Sequence, residues 1–254
     1  MPTLRYSAAA LTDRGRKRAT NEDAFGYSVE HGAFAVCDGM GGAAAGEIAS
    51  SLAIDEFLRL VGERWEPAGT ATPAAVVTRV SAEQLVAEAV TAANEAIHSR
   101  ARRNLRLSGM GTTLVGLLVE EDRVLVLNVG DSRCYHLRGS RLQQVTLDHS
   151  LVEQQVRLGK MTRAEAARSP FRNVITRAMG TQAEVKADVF AVEAQAGDLF
   201  LLCSDGLTRE LPDARIEALL TGTAPLDELC KRLVQAANKA GGNDNITCVL
   251  VRVD

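Results

Sequence analysis

Four aspartates in this chain share one setting. Asp38, Asp131, Asp205 and Asp244 each stand beside a short apolar run, next to a glycine, serine or asparagine. A carboxylate at the end of a buried strand is costly unless a cation meets it. Glu22 and Asp23 precede another such run and extend the set. Carboxylates driven together repel, and some take up protons unless cations lie among them. Oxygen-only donors select hard ions, here Mg²⁺ or Mn²⁺. Zinc fits poorly, because no histidine or cysteine cluster has ligand spacing. The plain alternative is four separate surface turns, since Asp-Gly is a common turn dipeptide. One such turn is ordinary; four strand-end aspartates in sequence order favour a metal site.

Arg18 adds a second kind of chemistry. It lies just upstream of Asn21-Glu22-Asp23, near enough to share their site. Arginine presents a planar fork suited to phosphate. Its neighbours Arg16 and Lys17 read as solvated. A carboxylate-held metal pair with one phosphate-binding arginine is the equipment of a phosphoester hydrolase. Gly39, Gly41 and Gly42 follow Asp38 and let the backbone approach whatever sits there.

These residues need firm supports, and the apolar runs supply them. Leu4–Leu11, Ala24–Val29 and the wholly apolar Phe34–Cys37 read as strands, the last ending at Asp38. Gly46–Val61 reads as a helix with apolar residues on several sides. Gly62–Thr78 holds Pro67, Gly69, Pro73 and the only tryptophan, and reads as an exposed connection. Ala82–Arg100 is an amphipathic helix with Leu85, Val86, Ala89, Val90, Ala93 and Ile97 on one face and His98 on the polar side. Thr112–Val119 and Arg123–Val129 form a hairpin; Arg133–Leu137 and Arg141–Val145 continue it as a meander. Asp148–Thr181 is polar, carries five arginines and contains two short helical pieces, so it reads as an excursion from the main body. Val189–Val192, Leu199–Cys203 and Ile246–Val253 are strands, with helices over Asp213–Leu220 and Leu226–Ala240 between the last two. Strands apolar on both faces imply two packed sheets with helices outside, a helix–sheet–sheet–helix sandwich whose aspartates converge at one edge.

The 254 residues suit one large domain or two small ones, and 46% hydrophobic with 24% charged residues is ordinary for a globular protein. A net charge of -3 argues against a nucleic-acid binder that depends on phosphate contacts. No apolar stretch approaches the roughly 20 residues of a membrane helix, and Met1–Arg18 lacks the pattern of a secretory signal. Cys37, Cys134, Cys203, Cys230 and Cys248 form no Cys-x-x-Cys pair and read as reduced core residues of a cytoplasmic protein.

Six segments now fall into one order: Arg18-Ala-Thr-Asn21-Glu22-Asp23, Val36-Cys-Asp38-Gly39-Met-Gly41-Gly42, Gly109-Met-Gly111-Thr112-Thr113, Val129-Gly130-Asp131-Ser132-Arg133, Leu202-Cys-Ser204-Asp205-Gly206 and Asp244-Asn245-Ile-Thr. In that order and spacing the chain resembles the metal-dependent protein phosphatases (the PPM family, or type 2C serine/threonine phosphatases) in their compact bacterial form. The resemblance implies an α+β fold, a four-layer α-β-β-α sandwich of two antiparallel sheets flanked by helices. It implies one catalytic domain over residues 1–254, with a flap at about 148–181. It implies two Mn²⁺ or Mg²⁺ ions, with Asp38 bridging them, Asp205 and Asp244 completing one shell, and the Gly39 carbonyl binding the other ion. Glu22 and Asp23 would act mostly through waters, and Asp131 with Asp205 would hold a third, looser ion. Arg18 would bind the substrate phosphate, and a metal-bridging hydroxide would attack phosphorus in line.

By the same resemblance the substrates are phosphoserine and phosphothreonine in proteins, the counterpart is a serine/threonine kinase, and the protein is a monomer with no membrane or nucleic-acid partner. Two departures stand out. Met40 takes the place where many eukaryotic members carry a histidine proposed as general acid. Ser169-Pro170 stands where bacterial relatives often carry His-Pro. Two rivals compete with protein phosphatase activity: a binding module that kept the fold but lost turnover, and a hydrolase of small phosphoesters. The first should lack a metal aspartate, and none is missing. The second shares the core chemistry and is separated only by substrate comparison.

Overall fold

The computed structural model describes residues 5–41, 44–65, 80–120 and 123–254. Among these, the strands form two antiparallel sheets. The first runs in the order β1 (Tyr6–Asp13), β11 (Ile246–Val253), β10 (Leu199–Cys203), β7 (Arg133–Arg138) and β8 (Arg141–Gln144). The second runs β2 (Asp23–Ser28), β3 (Ala33–Met40), β5 (Leu114–Glu120), β6 (Arg123–Val129) and β9 (Asp188–Glu193), with the short β4 (Gly111–Thr112) beside the end of β3.

Alternation along each strand explains the four layers. In β3, Phe34 and Val36 face the other sheet, where they meet Phe200, Leu202, Val249 and Val251 from β10 and β11. The intervening Ala33, Ala35 and Cys37 face outward under α1 (Ala44–Arg64) and α2 (Ala82–Arg103). In β11, Ile246, Cys248 and Leu250 face outward under α6 (Asp213–Leu220) and α7 (Leu226–Ala240). A strand buried on both faces must be apolar throughout, which is why these runs show no polar alternation. The α-β-β-α sandwich expected from the sequence is the fold. Helix α2 begins where Ser81 accepts the Gln84 N–H at 3.1 Å, and its last turn carries Arg100, Arg102 and Arg103, cations that suit a helix C-terminus.

The flap begins after β8. It contains α3 (Leu151–Arg157) and α4 (Arg163–Arg168), the latter opened by a reciprocal cap between Thr162 and Glu165. It is pinned back by bridges between Ser150 and Ile175 and between Thr112 and Met179.

Several sequence expectations need correction. β3 does not stop before Asp38 but carries on through Gly39 to Met40, and α1 starts at Ala44 and runs to Arg64. β1 does not end at Leu11 but runs on through Thr12 to Asp13. Trp65 is no exposed connector; it is 9% exposed and belongs to the core beneath α1 and α2. The rest of that connection, including Pro67, Gly69 and Pro73, lies outside the described residues, as does Gly42. The meander is also broken. β5 pairs with β6, and β7 with β8, but β6 and β7 lie in different sheets. Gly130-Asp131-Ser132 is therefore a crossing between layers, not a hairpin turn.

Candidate metal centre

The expected acidic residues are carried to the same end of the sandwich by separate segments, Glu22 and Asp23 together at the start of β2 and the others each on its own. Asp38 lies opposite Asp23 in the β2–β3 register. Two like charges in that position repel, so the backbone must hold them there. The Asp38 N–H donates to Thr113 Oγ1, and its carbonyl accepts from the Thr113 N–H and Thr112 Oγ1, all at 2.9 Å. Asp23 reaches across to the first sheet. Its Oδ2 accepts from Ser204 Oγ at 2.8 Å and Thr247 Oγ1 at 2.6 Å, so one carboxylate joins the ends of β2, β10 and β11. Asp131 stands at the crossing between sheets. Asp205 opens the short helix α5 (Asp205–Thr208) directly after β10. Asp244 precedes β11, and its Oδ1 accepts the Asn245 N–H at 2.9 Å.

The chain's own backbone comes close here. A Cβ on Gly39 would lie 2.2 Å from the Gly46 carbonyl oxygen, and one on Gly206 would lie 1.9 Å from that of Asn245. Only glycine permits these approaches. The glycine-rich stretch after Asp38 thus accommodates protein as well as any ligand.

The electrostatics are those of an acidic cluster that its arginines compensate only in part. Burial, then the neighbouring carboxylates of Asp23, Asp205, Asp131 and Asp244, pushes Asp38 well above the usual carboxylate range. Burial and Asp131 do the same to Asp205. Burial lifts Asp23 to about 6, against the pull of its Thr247 and Ser204 hydrogen bonds. Burial also raises Asp131 and, more exposed, Glu22. Asp23, Asp131 and Asp205 each keep one buried oxygen, Oδ1, with no hydrogen-bond partner. Orphaned buried acceptors and mutual repulsion fit a divalent cation bound by oxygen. Among the described residues no three acidic, histidine or cysteine side chains are already arranged as a ready metal cage. An arginine stands among the carboxylates instead.

That arginine, Arg209, escapes a sequence reading. It ion-pairs with Asp205, lies 3.5 Å from Asp131 Oδ2 and places Nη1 3.6 Å from Asp244 Oδ2. Its i,i+4 spacing from Asp205 is the only local signal for it. Arg18 is where expected, donating to Asp244 Oδ2 at 2.8 Å with half of its side chain exposed. Asn245 is a second unforeseen support. Its Oδ1 accepts the Glu22 N–H at 2.8 Å, and its Nδ2 donates to the carbonyls of Arg14 and Thr20. It ties the Arg18-bearing loop to the Asp244 turn.

Beside the cluster, a cavity of ≈ 240 Å³ opens between the body and the flap, lined by Asp131, Asp205 and Arg209 on one side and by Glu153, Arg163 and Arg172 on the other. The flap arginines divide by role. Arg177 is committed to Asp188 at 2.6 Å and to the Lys186 carbonyl. Arg163 pairs with Glu153 at 3.2 Å. Arg172 is exposed at the cavity wall. Ser169 is buried at the end of α4, where its Oγ accepts the Phe171 N–H. His149, at the flap root, accepts the Gly130 N–H on Nδ1 at 3.0 Å and sets Nε2 3.2 Å from Asp188. The proton of its neutral ring therefore sits on Nε2.

Residues 12–251 match the family profile described as protein phosphatase 2C. The serine/threonine phosphatase stp of Listeria monocytogenes is 38% identical over 246 residues, covering 96% of this chain and 94% of that protein. The crystal structure of the Mycobacterium tuberculosis serine/threonine phosphatase PstP/Ppp superposes with a TM-score of 0.85 at 37% identity, covering 99% of each chain. A second structure, the PstP catalytic domain in complex with two manganese ions, gives 0.83 at 36% identity and also covers 99% of each chain.

Proposed function

Because this chain belongs to the protein phosphatase 2C family, we propose that it removes phosphate from phosphoserine and phosphothreonine in proteins with Mn²⁺ or Mg²⁺ held at the Asp38 edge of its sandwich. It is a serine/threonine protein phosphatase. The observation that carries the metal-centre reading is the set of buried, unpartnered oxygens on Asp23, Asp131 and Asp205 around a strongly disfavoured Asp38 charge. Neither the binding-only reading nor the small-phosphoester reading is favoured by these similarities.

On this reading residues 1–254 form one catalytic domain, and the partners are phosphorylated proteins and the kinase that makes them. Asp38, Asp205, Asp244 and the Gly39 carbonyl would hold two ions, with Asp38 serving both; Glu22 and Asp23 would act through waters, and Asp131 with Asp205 would hold a third, looser ion. Bound ions supply an acidified water and neutralise charge developing on the phosphoryl oxygens. Arg18, half exposed and steadied by Asp244, turns its remaining donors to the phosphate. Met40 has no proton to give, so the leaving group must take its proton from water or from another group. The test is phosphate release from a phosphopeptide library by metal-stripped protein, with Mn²⁺ or Mg²⁺ added back. Release that is equal with and without metal would end the reading.

Two substitutions probe substrate contact. Arg18→Ala should act mainly on KM, because its bond to phosphate exists in ground and transition states alike. A charge-assisted hydrogen bond is worth about 1.5–3 kcal/mol, or roughly 10- to 150-fold. Steady-state kinetics with unchanged KM would return Arg18 to the solvated group of Arg16 and Lys17.

Arg172→Ala should lower kcat/KM on phosphopeptides by about 2- to 5-fold, the scale of an exposed charge, and leave a small aryl phosphate little changed. Arg177 belongs to the same basic stretch, but its bond to Asp188 gives it a supporting part. Arg177→Ala should therefore affect both substrates alike. The ratio of the two kcat/KM values, taken at fixed ionic strength, separates these cases.

A further inference from the structure

We infer that Arg209 is a built-in counter-cation of the metal centre, which competes with an ion for Asp131 and Asp205 and so sets how tightly the outer part of the centre is filled. The inference rests on the metal-centre reading above.

The cluster has an inner and an outer part, and they differ in what neutralises them. Asp38 and Asp23 make no contact with an arginine among those described; Asp23 is held by two hydroxyls and Asp38 by its backbone. Asp131 and Asp205 line the cavity, which makes them the outer part in this sense, and share Arg209. Its guanidinium takes one oxygen of each, Oδ2, and leaves the other, Oδ1, buried without a partner. The outer carboxylates are thus half satisfied by a single positive charge. A divalent ion would satisfy both oxygens, but it needs the space and the Oδ2 atoms that Arg209 holds.

Arg209 is placed for this exchange. It caps the four-residue α5 that Asp205 opens, so its backbone is fixed one turn from its main partner. Only 26% of its side chain is exposed, yet the adjoining cavity gives the guanidinium somewhere to swing. Its third contact, Asp244 Oδ2, is also the acceptor of Arg18. Loss of Arg209 from the cluster therefore leaves Asp244 with a cationic partner. A lysine could not replace it fully, because Nη2 serves Asp131 and Asp205 while Nη1 reaches towards Asp244, and an ammonium is a point charge without such a fork.

The ion that shares Asp205 and Asp244 with Arg209 should meet some competition, and the looser ion at Asp131 and Asp205 should bind only by displacing Arg209. Metal-stripped wild type, Arg209→Gln and Arg209→Lys should be titrated with MnCl₂ by calorimetry, and each melted with and without Mn²⁺. In Arg209→Gln the weakest Mn²⁺ should tighten by roughly 10-fold or more, the equivalent of losing one charge-assisted contact that opposed it. The tighter Mn²⁺ should gain less, since only part of its shell is shared with Arg209. The metal-free melting temperature should fall by about 2–4 °C, and Mn²⁺ should raise it by more than in wild type. Arg209→Lys should fall between the two, and it keeps a cation in the cluster if the glutamine variant folds poorly.

Superimposable isotherms for all three proteins, with Mn²⁺ still bound, would overturn the competition and leave the metal centre standing. So would an unchanged Mn²⁺ titration with weaker inhibition by inorganic phosphate, which would make Arg209 a phosphate ligand beside Arg18. A wild type that binds no Mn²⁺, and in which Asp38→Asn changes neither melting nor titration, would remove the metal centre itself.

Discussion

Asp38→Asn should give a folded protein that hydrolyses almost nothing at any Mn²⁺ concentration. The fold does not need the carboxylate, because Thr112 and Thr113 hold the Asp38 backbone at both its N–H and its carbonyl. On the proposed reading the chemistry does need it, as the carboxylate on which the repulsion of four others converges. Loss of one group that stabilises transition-state charge costs about 10²- to 10³-fold in kcat, and loss of a bridging ligand should cost at least that. The metal-free variant should melt at a higher temperature than wild type, since one repelling charge opposite Asp23 is gone. A well-folded Asp38→Asn protein with near-normal turnover would remove Asp38 from the centre.

Arg133→Ala should produce the largest loss of stability outside the apolar core. Arg133 forks onto Asp148, with Nε 2.9 Å from Oδ1 and Nη2 2.7 Å from Oδ2, and its Nη1 donates to the Tyr135 hydroxyl at 2.9 Å. That buried hydroxyl donates in turn to Asp213 at the start of α6. The chain of contacts ties the flap root to the helix layer. Removing one partner of a buried pair costs about 3–5 kcal/mol. Arg133 is 25% exposed, so solvent screening should reduce this to about 2–4 kcal/mol. Urea unfolding measures it, and Arg133→Lys should recover only part, since it cannot fork. A loss under about 1 kcal/mol would mean that the flap is anchored elsewhere, by His149 and Asp188.

The sequence announces the parts of this molecule whose causes are local. Phe34–Cys37, Leu199–Cys203 and Ile246–Val253 are strands because short apolar runs have no other stable use at that length, and α7 is legible from the spacing of Leu226, Leu229, Cys230 and Leu233. The carboxylates are legible because each follows or precedes such a run. What stays hidden depends on partners far along the chain. Gly130-Asp131-Ser132 has the composition of a turn, and it is held as a crossing between sheets by distant partners, among them the hydrogen bonds of Asn128 to the Gly130 and Leu147 carbonyls, of Gly130 to His149 and of Ser132 to Thr113. Asn245 works on residues more than 220 positions away. Arg133 and Arg209 are two arginines among many until the fold shows which carboxylates they face. Trp65 sat in a stretch marked by prolines and glycines, and its burial follows from where α1 happens to end.

The reach of Asp23 across the sandwich, to Thr247 some 224 residues later, also has a kinetic meaning. No partly folded chain with a single sheet can own this site, because its side chains come from both. The long loops must close before those contacts form, and that closure limits the folding rate. A cation that binds only the finished site enters after the folding barrier. It should leave the refolding rate nearly unchanged and slow unfolding in proportion to its binding free energy. Stopped-flow refolding in Mn²⁺ and in chelator should trace the same folding limb, with the unfolding limbs apart. The metal would then act as a late latch, and the lifetime of the native protein would follow the supply of the ion.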